Sequence, residues 1–489
     1  MCCGVGNLEV KHGNYRNVFM STLDQADIDI MRASKTCVGA TIFQYDFLND
    51  DVTDFGEIDY ELSNKVPAEL RQAIADAKAR KKGAKPILVL INPPYGEAAN
   101  SQGNAGKTGI ATTRISYGMG ALGYAGRELF VQFLHRIMAE LPNATLAMFS
   151  KLKYVNAPNF EYFRAQWTAK YLDGFVVPSK VFDGLKGNYP IGFLLWDLSV
   201  NDPSDEITTL ALDKAGNSID EKTFFNVPNS RFLSAWMPRL KASGQVIPLK
   251  NAISPQEGHA KVSTWHEGAI GHMLSNSNDL QNSGTLTALF SSVYSAGNGY
   301  YVTPENLWQA AIVFSVRRLI KPTWLNDRDQ FLQPSEPLTE DFKADCLIWM
   351  LFNGSNLSAG ADGLRWNDRD WSLVNHFVPF NEAEVGARDR FESDFMVRYM
   401  EGMAFSPEAQ AVLDEGRKLW RRFHAIAFPR RIRDELKLNR PDAGWYQIRR
   451  ALEAYGDTEP TDFDPFKAAY AALGNKLRPM VYELGFLPS

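Results

Sequence analysis

The sequence predicts an α/β protein with a Rossmann-like, doubly wound and mostly parallel sheet, followed by a mixed and helical carboxyl-terminal region. Three observations predict it. Residues 1–200 alternate short apolar runs with stretches of helical periodicity, the pattern of a parallel sheet covered by helices. The run Ile87-Leu88-Val89-Leu90-Ile91 is unbroken, as in a central strand buried on both faces, and Pro93-Pro94 ends it. After residue 200 tryptophans and turn pairs such as Asn353-Gly354 replace that alternation. The expected division is 1–200, 201–390 and 391–489.

In chain order, the glycines of Gly4-Val5-Gly6 permit a tight turn and close approach of a ligand to backbone. Almost no strand precedes them, so the first domain is expected to begin truncated. Strands are expected at 17–22, 40–45, 86–91, 144–149, 172–177 and 191–196. Helices are expected at 25–34, 66–81 and 126–140; in the last, Leu129, Phe130, Phe133, Leu134 and Ile137 recur at helical spacing. Residues 96–126, rich in Gly, Ser, Asn and Thr, form a connection too long for an ordinary turn. Residues 200–390 read as mixed or β-rich. Helices are expected at 396–403, 407–423, 444–455 and 466–473.

Bulk properties are those of an ordinary soluble chain: 489 residues, 45% hydrophobic, 22% charged, net charge −5. A nucleic-acid partner would require positive charge concentrated on one face. Cys2, Cys3, Cys37 and Cys346 form neither a disulfide framework nor a zinc pattern. No 18-residue apolar run occurs. The expectation is a cytoplasmic protein with no membrane partner and no metal.

In open α/β sheets ligands gather at the carboxyl ends of strands. Asp24 follows the first expected strand and Asp46-Phe47 the second. In a nucleotide-type fold such an acid holds ribose hydroxyls, and an acid with an aromatic holds an adenine ring. The plain alternatives are a helix cap for Asp24 and a solvated turn for Asp46. Asn92-Pro93-Pro94-Tyr95 follows the third strand. The exocyclic amine of adenine is a poor nucleophile, because its lone pair is delocalised into the ring. A site accepting both N–H bonds raises electron density on nitrogen. Asn92 offers a side-chain oxygen, Pro93 a carbonyl, and Tyr95 a ring on which a base stacks. Catalysis of this kind is positioning and electrostatics.

Asn92-Pro93-Pro94-Tyr95 after a buried strand resembles the catalytic motif of S-adenosylmethionine-dependent amino-methyltransferases, most closely the N6-adenine DNA methyltransferases. Cys3-Gly4-Val5-Gly6-Asn7 resembles their cofactor loop, and Asp46-Phe47 their acid–aromatic pair. The order, cofactor loop first, is that of the γ-type subgroup, whose target-recognition region lies carboxyl-terminal. The resemblance covers residues 1–200. It implies S-adenosyl-L-methionine held by Cys3, Gly4, Gly6, Asp24, Asp46 and Phe47. The chain departs from the family in lacking the segment before the cofactor loop, and in placing Thr22 rather than an acid at the end of the first strand. Cys2 or Cys3 also stands where the family has an acid or small residue.

The resemblance further implies an aromatic that stacks on the extruded base. Lys180-Val181-Phe182 matches its setting, with Tyr189 as runner-up and a core role for Phe182 as the alternative.

Partners implied are DNA and a separate restriction or specificity subunit. Lys107, Arg114, and the basic run at 417–440, with Arg421, Arg422, Arg430 and Arg431, are candidate phosphate contacts, against the alternative of solvated surfaces. Arg317 and Arg318 form a weaker candidate. GNAGKT at 103–108 and GMGALG at 118–123 lack the leading strand of a phosphate loop. His266 and His272, six apart, do not make a zinc motif. Rival functions are RNA or protein amino-methylation and a catalytically inactive DNA-binding subunit.

Overall fold

The computed structural model describes residues 1–11, 13–98, 110–185, 187–227, 231–250, 253–256, 264–294, 299–456 and 463–488. The chain forms two compact units: Met1–Pro228 with Thr323–Arg328, and Asn229–Pro322 with Asp329–Ser489.

The first unit runs β1 (Phe19–Thr22), α1 (Gln25–Ser34), β2 (Thr41–Gln44), α2 (Ala68–Lys78), β3 (Leu88–Ile91), α3 (Arg114–Tyr117), α4 (Leu129–Glu140), β4 (Thr145–Lys151), β5 (Ala169–Pro178), β6 (Pro190–Asn201), β7 (Glu206–Leu212) and β8 (Ser218–Phe225). Each strand and helix expected before residue 200 is present. α1 buries Ile28 and Met31, one turn apart, and ends where Lys35 turns left-handed. α4 buries Phe130, Phe133, Leu134 and Ile137 beneath the sheet.

The sheet departs from the expectation in three ways. First, β1 and β2 make a separate parallel pair, while the six-stranded sheet has the order β3-β4-β6-β5-β7-β8. Between β1 and β3 lie only the first residues of the chain: the Cys3 N–H donates to Ser21 O (3.1 Å) and the Met1 amine to Leu90 O (3.4 Å). Second, the sheet is mixed rather than mostly parallel. β3–β4 and β5–β7 are parallel, but β4–β6, β5–β6 and β7–β8 are antiparallel. The short β5–β6 and β7–β8 connections allow antiparallel return, whereas a parallel crossover needs a dozen or more residues. Third, β3 is an edge strand, not a central one. Val89 and Ile91 are buried, but Leu88 is 66% exposed.

The unit ends at 228, not 200, because β7 and β8 extend the same sheet. The second unit also lacks the expected break at 390. Leu233, Phe314, Trp349, Trp420, Trp445 and Leu477 belong to one core, so residues on both sides of that break fold together. Its helices Leu307–Leu319 and Glu340–Leu351 join the expected carboxyl-terminal ones at Phe395–Met400, Pro407–Ala425, Trp445–Tyr455 and Asp464–Glu483. A three-stranded antiparallel sheet and the hairpin Ala361–Trp366/Arg369–Leu373 supply the β structure expected after 200. No helix among the described residues is long and apolar enough to cross a membrane.

His272, on the middle strand of that three-stranded sheet, is 4% exposed, and its Nδ1 has no hydrogen-bond partner among the described residues. Burial pushes its imidazole down to about 4. The unfolded chain takes up this proton near pH 6.5 and the folded chain only near pH 4. The second unit therefore loses stability as pH falls from about 6.5 towards 4, by about 1.4 kcal/mol per pH unit from this group. Thermal melts across that window check it: His272→Phe, which carries no proton, gives a shallower fall with acid than the wild type.

Candidate active site

The turn after β3 is built by its two prolines, which remove two ladder donors and force the chain off the sheet. Asn92 and Pro94 are exposed, Pro93 is buried and Tyr95 is half-buried. The Tyr95 hydroxyl donates to Asn92 Oδ1 at 3.1 Å. That bond orients the amide and leaves Oδ1 a second lone pair. Burial, with a smaller contribution from nearby Tyr189, pushes the Tyr95 phenol well above its ordinary range, so it stays a donor. The Tyr95 ring meets Phe182 edge-on, with centroids 6.4 Å apart and planes at 84°. Phe182 in turn meets Phe149 at 5.5 Å. The aromatic expected to accompany the turn thus stands beside it, half-buried and not sealed in the core.

Two braces hold these rings, and neither was singled out in the sequence. Ser179, fully buried, closes the loop that carries Phe182 and Tyr189. Its N–H donates to Tyr189 O (2.8 Å), its hydroxyl donates to Gly187 O (3.0 Å), and its carbonyl accepts from Phe182 N–H (3.0 Å). On the other side, Leu129 N–H donates to Gly96 O (2.9 Å) and Ala98 N–H to Arg127 O (2.9 Å). Buried Glu128 ion-pairs with Lys153 and Lys151, and Lys153 also reaches Glu97 at 3.7 Å. The residues just after Tyr95 are therefore pinned to the start of α4. A buried serine and alternating Lys/Glu have no local pattern that marks them as braces.

The glycine turn begins at the first strands of the unit. Cys3 is bonded to Ser21 of β1 and Met1 to Leu90 of β3, and the turn then runs away from the carboxyl ends of these strands, so that Gly6 sits against Met20, Met31 and Thr36 near the start of β2. Gly4 and Gly6 are both left-handed, at φ +53° and +81°. A Cβ on Gly4 would meet nothing within 4 Å, whereas one on Gly6 would press on Met31 and Met20. Cys3 is buried, and burial pushes its thiol up to about 12. It is a packed thiol, not a nucleophile.

Asp24 stands at the N-cap position of α1 but makes no capping bond, and it is exposed. Asp46 folds its carboxylate into its own turn, accepting from Leu48 N–H (3.1 Å) and Asn49 Nδ2 (2.8 Å). That is the turn alternative raised from sequence. Phe47 is corrected: it is 6% exposed, stacked on Phe133 at 5.6 Å and 9°, with the Arg136 guanidinium 4.4 Å from its ring centre. It is core, and offers no open face to an adenine. Towards S-adenosylmethionine the residues fit in part. The open space at Gly4 and the exposed Asp24 suit a cofactor; Phe47, buried, and Gly6, packed on Met31 and Thr36 at the far end of α1, do not. A separate concavity of 420 Å³, lined by Met31, Arg32, Lys35 and Cys37, lies at the opposite end of β2 and is not part of the site.

Among the basic candidates, Lys107 lies outside the described residues. Arg114 donates its guanidinium to Val52 O (3.0 Å). In the second unit, Arg421 Nε donates to Glu384 O (2.6 Å), and Arg430 pairs with Asp434 (3.4 Å). Arg422 is half-buried and Arg431 exposed. Arg317 and Arg318 are corrected to structural roles. Arg317 is buried and donates to Thr287 Oγ1 (2.8 Å), Asn276 O (2.7 Å) and Ser277 O; Arg318 donates to Thr287 O (2.8 Å), Asn353 Oδ1 (3.1 Å) and Gly284 O. No group of three or more metal-ligating side chains occurs among the described residues.

No protein-family model matches the chain, and no curated protein matches it. Among solved structures it is similar to a modification subunit of a putative type I restriction enzyme from Vibrio vulnificus YJ016, at 12% identity and a TM-score of 0.24, over 40% of this chain and 37% of that one. It is likewise similar to the type I restriction enzyme EcoKI M protein, at 12% and 0.24, over 41% and 36%. A third likeness is to DrdV in complex with DNA, at 12% and 0.27, over 53% and 29%. The chain thus spans well under half the length of each. At these scores the likeness assigns no activity to this chain.

Proposed function

We propose that the chain transfers a methyl group from S-adenosylmethionine to N6 of adenine in DNA, in restriction–modification, phage defence or as an orphan methylase. The observation that supports this most is the meeting of Asn92 Oδ1, the Tyr95 ring and Phe182 at the end of β3. Asn92 Oδ1 and the Pro93 carbonyl accept the two amine N–H bonds, which turns the nitrogen lone pair out of conjugation. Tyr95 and Phe182 take the extruded base, offsetting an extrusion cost of a few kcal/mol. S-adenosylmethionine, when bound, supplies an electrophilic methyl on sulfur. The new N–C bond forms as the S–C bond breaks, and the surplus proton leaves the amine to water. Gly4 and Asp24 are the residues proposed to hold the cofactor.

Tyr95 separates the ring's role from the hydroxyl's. Tyr95→Phe keeps the stacking face and is expected to stay within about tenfold of wild-type kcat. Tyr95→Ala loses stacking worth roughly 1–3 kcal/mol, about 5- to 150-fold in capture of the base. Steady-state methylation of unmethylated DNA by the two variants checks this. The experiment on the reading itself offers radiolabelled S-adenosylmethionine with unmethylated DNA, RNA or a glutamine-bearing protein. Label in DNA is the expected result. Label only in RNA or protein moves the acceptor, and no label in any of them removes the reading.

A further inference from the structure

Residues Thr323–Arg328 come late in the sequence, yet they belong to the first unit. Their placement is built. Trp324 and Leu325 pack on the first unit's core, and Asn326 Oδ1 accepts from Thr323 N–H (2.7 Å) and its hydroxyl (3.0 Å) to close the turn. The turn delivers Arg328 onto Tyr189. The guanidinium lies 5.9 Å from the Tyr189 ring centre, Nε is 3.5 Å from buried Asp327, and a third of the side chain stays exposed. Tyr189 shares the Ser179-pinned loop with Phe182, whose ring meets Tyr95.

We propose that Arg328 binds a backbone phosphate flanking the base taken at the Tyr95–Phe182 pair, making the acceptor of this site a nucleotide within a polynucleotide strand. The assignment rests on the methyltransferase reading of that site. A glutamine side chain on a protein brings no charge to the rim. An extruded nucleotide keeps a phosphodiester on each side of its sugar, so anions arrive wherever the base does. Arginine is suited to meet them: its planar fork matches phosphate oxygens, it is weakly hydrated, and it remains charged while resting on an aromatic face. Such a contact positions the strand without reading its sequence. Arg328 is thus a binding and positioning residue whose weight falls on strand affinity, not on the chemical step.

The test uses the full chain with Arg328→Ala and Arg328→Lys. Binding of a duplex oligonucleotide is followed by fluorescence anisotropy across a salt series, and methylation kinetics on unmethylated DNA are followed beside it. Losing one phosphate contact lowers the slope of log affinity against log salt by about 0.9. Arg328→Ala is expected to show that change, with KM for DNA raised about tenfold and kcat close to wild type. Arg328→Lys is expected to keep the slope. An unchanged slope in Arg328→Ala overturns the assignment, as does a fall in kcat alone in both variants, which marks Arg328 as packing for Tyr189. Wild-type chain that does not bind the oligonucleotide also overturns it. Label transfer to DNA by the wild type, with the slope unchanged in Arg328→Ala, defeats this assignment and leaves the reading of the site standing. A reduced slope without any methyl transfer by the wild type supports the phosphate contact and removes the reading.

Discussion

Replacing Asn92 with alanine is expected to lower kcat for methyl transfer by roughly 10²–10³-fold, the cost of removing one preorganised dipole from a site of developing charge. In the proposed reaction the amine becomes positively charged as the new bond forms, and Asn92 Oδ1 is the acceptor proposed for it. Its side chain is exposed at the end of β3 and makes its bond to the Tyr95 hydroxyl, not to the core. Stability should therefore change by less than about 0.5 kcal/mol, as for other surface substitutions. Affinity for S-adenosylmethionine is expected to stay at the wild-type value, because the proposed cofactor residues Gly4 and Asp24 are untouched. Parallel kinetics, thermal melts and cofactor titration check the three parts separately. Equal losses in all three would mean that Asn92 supports the fold.

The second large effect is on the fold that carries the site. Arg136 is fully buried on α4 and ties together what the sheet leaves apart. Its Nε donates to Glu140 (2.9 Å), Nη1 to Asp50 O (2.9 Å) and Phe47 O, and Nη2 to the Tyr45 hydroxyl. The loop after β2 is thereby fixed to α4. Arg136→Met keeps the volume and removes every one of these donors. Glu140 is then left buried without its cation, a defect worth about 3–5 kcal/mol. Against a total stability of about 5–15 kcal/mol this is a large share. The first unit is expected to melt lower by an amount on the order of 10 °C. Adding Glu140→Gln removes the stranded charge and is expected to recover part of the loss. A double variant no more stable than Arg136→Met would place the damage in the backbone carbonyls of 47 and 50.

What the sequence revealed and what it hid divide along a physical line. Strands and helices before residue 200 were legible because each is set by local periodicity, and the Pro-Pro pair marks the end of β3 without any help from the rest of the chain. That the ring of Phe182 meets Tyr95 follows from the resemblance carried by Lys180-Val181-Phe182, not from local periodicity. The errors all concern partners distant in sequence. Phe47 follows an acid at a strand end, a suggestive setting, but Phe133 and Arg136 arrive 86 and 89 residues later to cover it. Arg317 and Arg318 looked like a surface charge pair until the carbonyls of 276, 277, 284 and 287 came round to meet them. Periodicity showed that 407–423 has an apolar face, but not that this face shares a core with residues before 390. The return of Thr323–Arg328 to the first unit leaves no local trace at all.

The central claim is that the turn Asn92–Tyr95 methylates the amino nitrogen of adenine. Its most direct test is mass spectrometry of nucleosides from unmethylated DNA incubated with S-adenosylmethionine and either wild-type chain or Asn92→Ala. N6-methyladenine is expected with the wild type, with a yield reduced roughly 10²–10³-fold at equal time with the variant. N6-methyladenine formed equally by both proteins would contradict it.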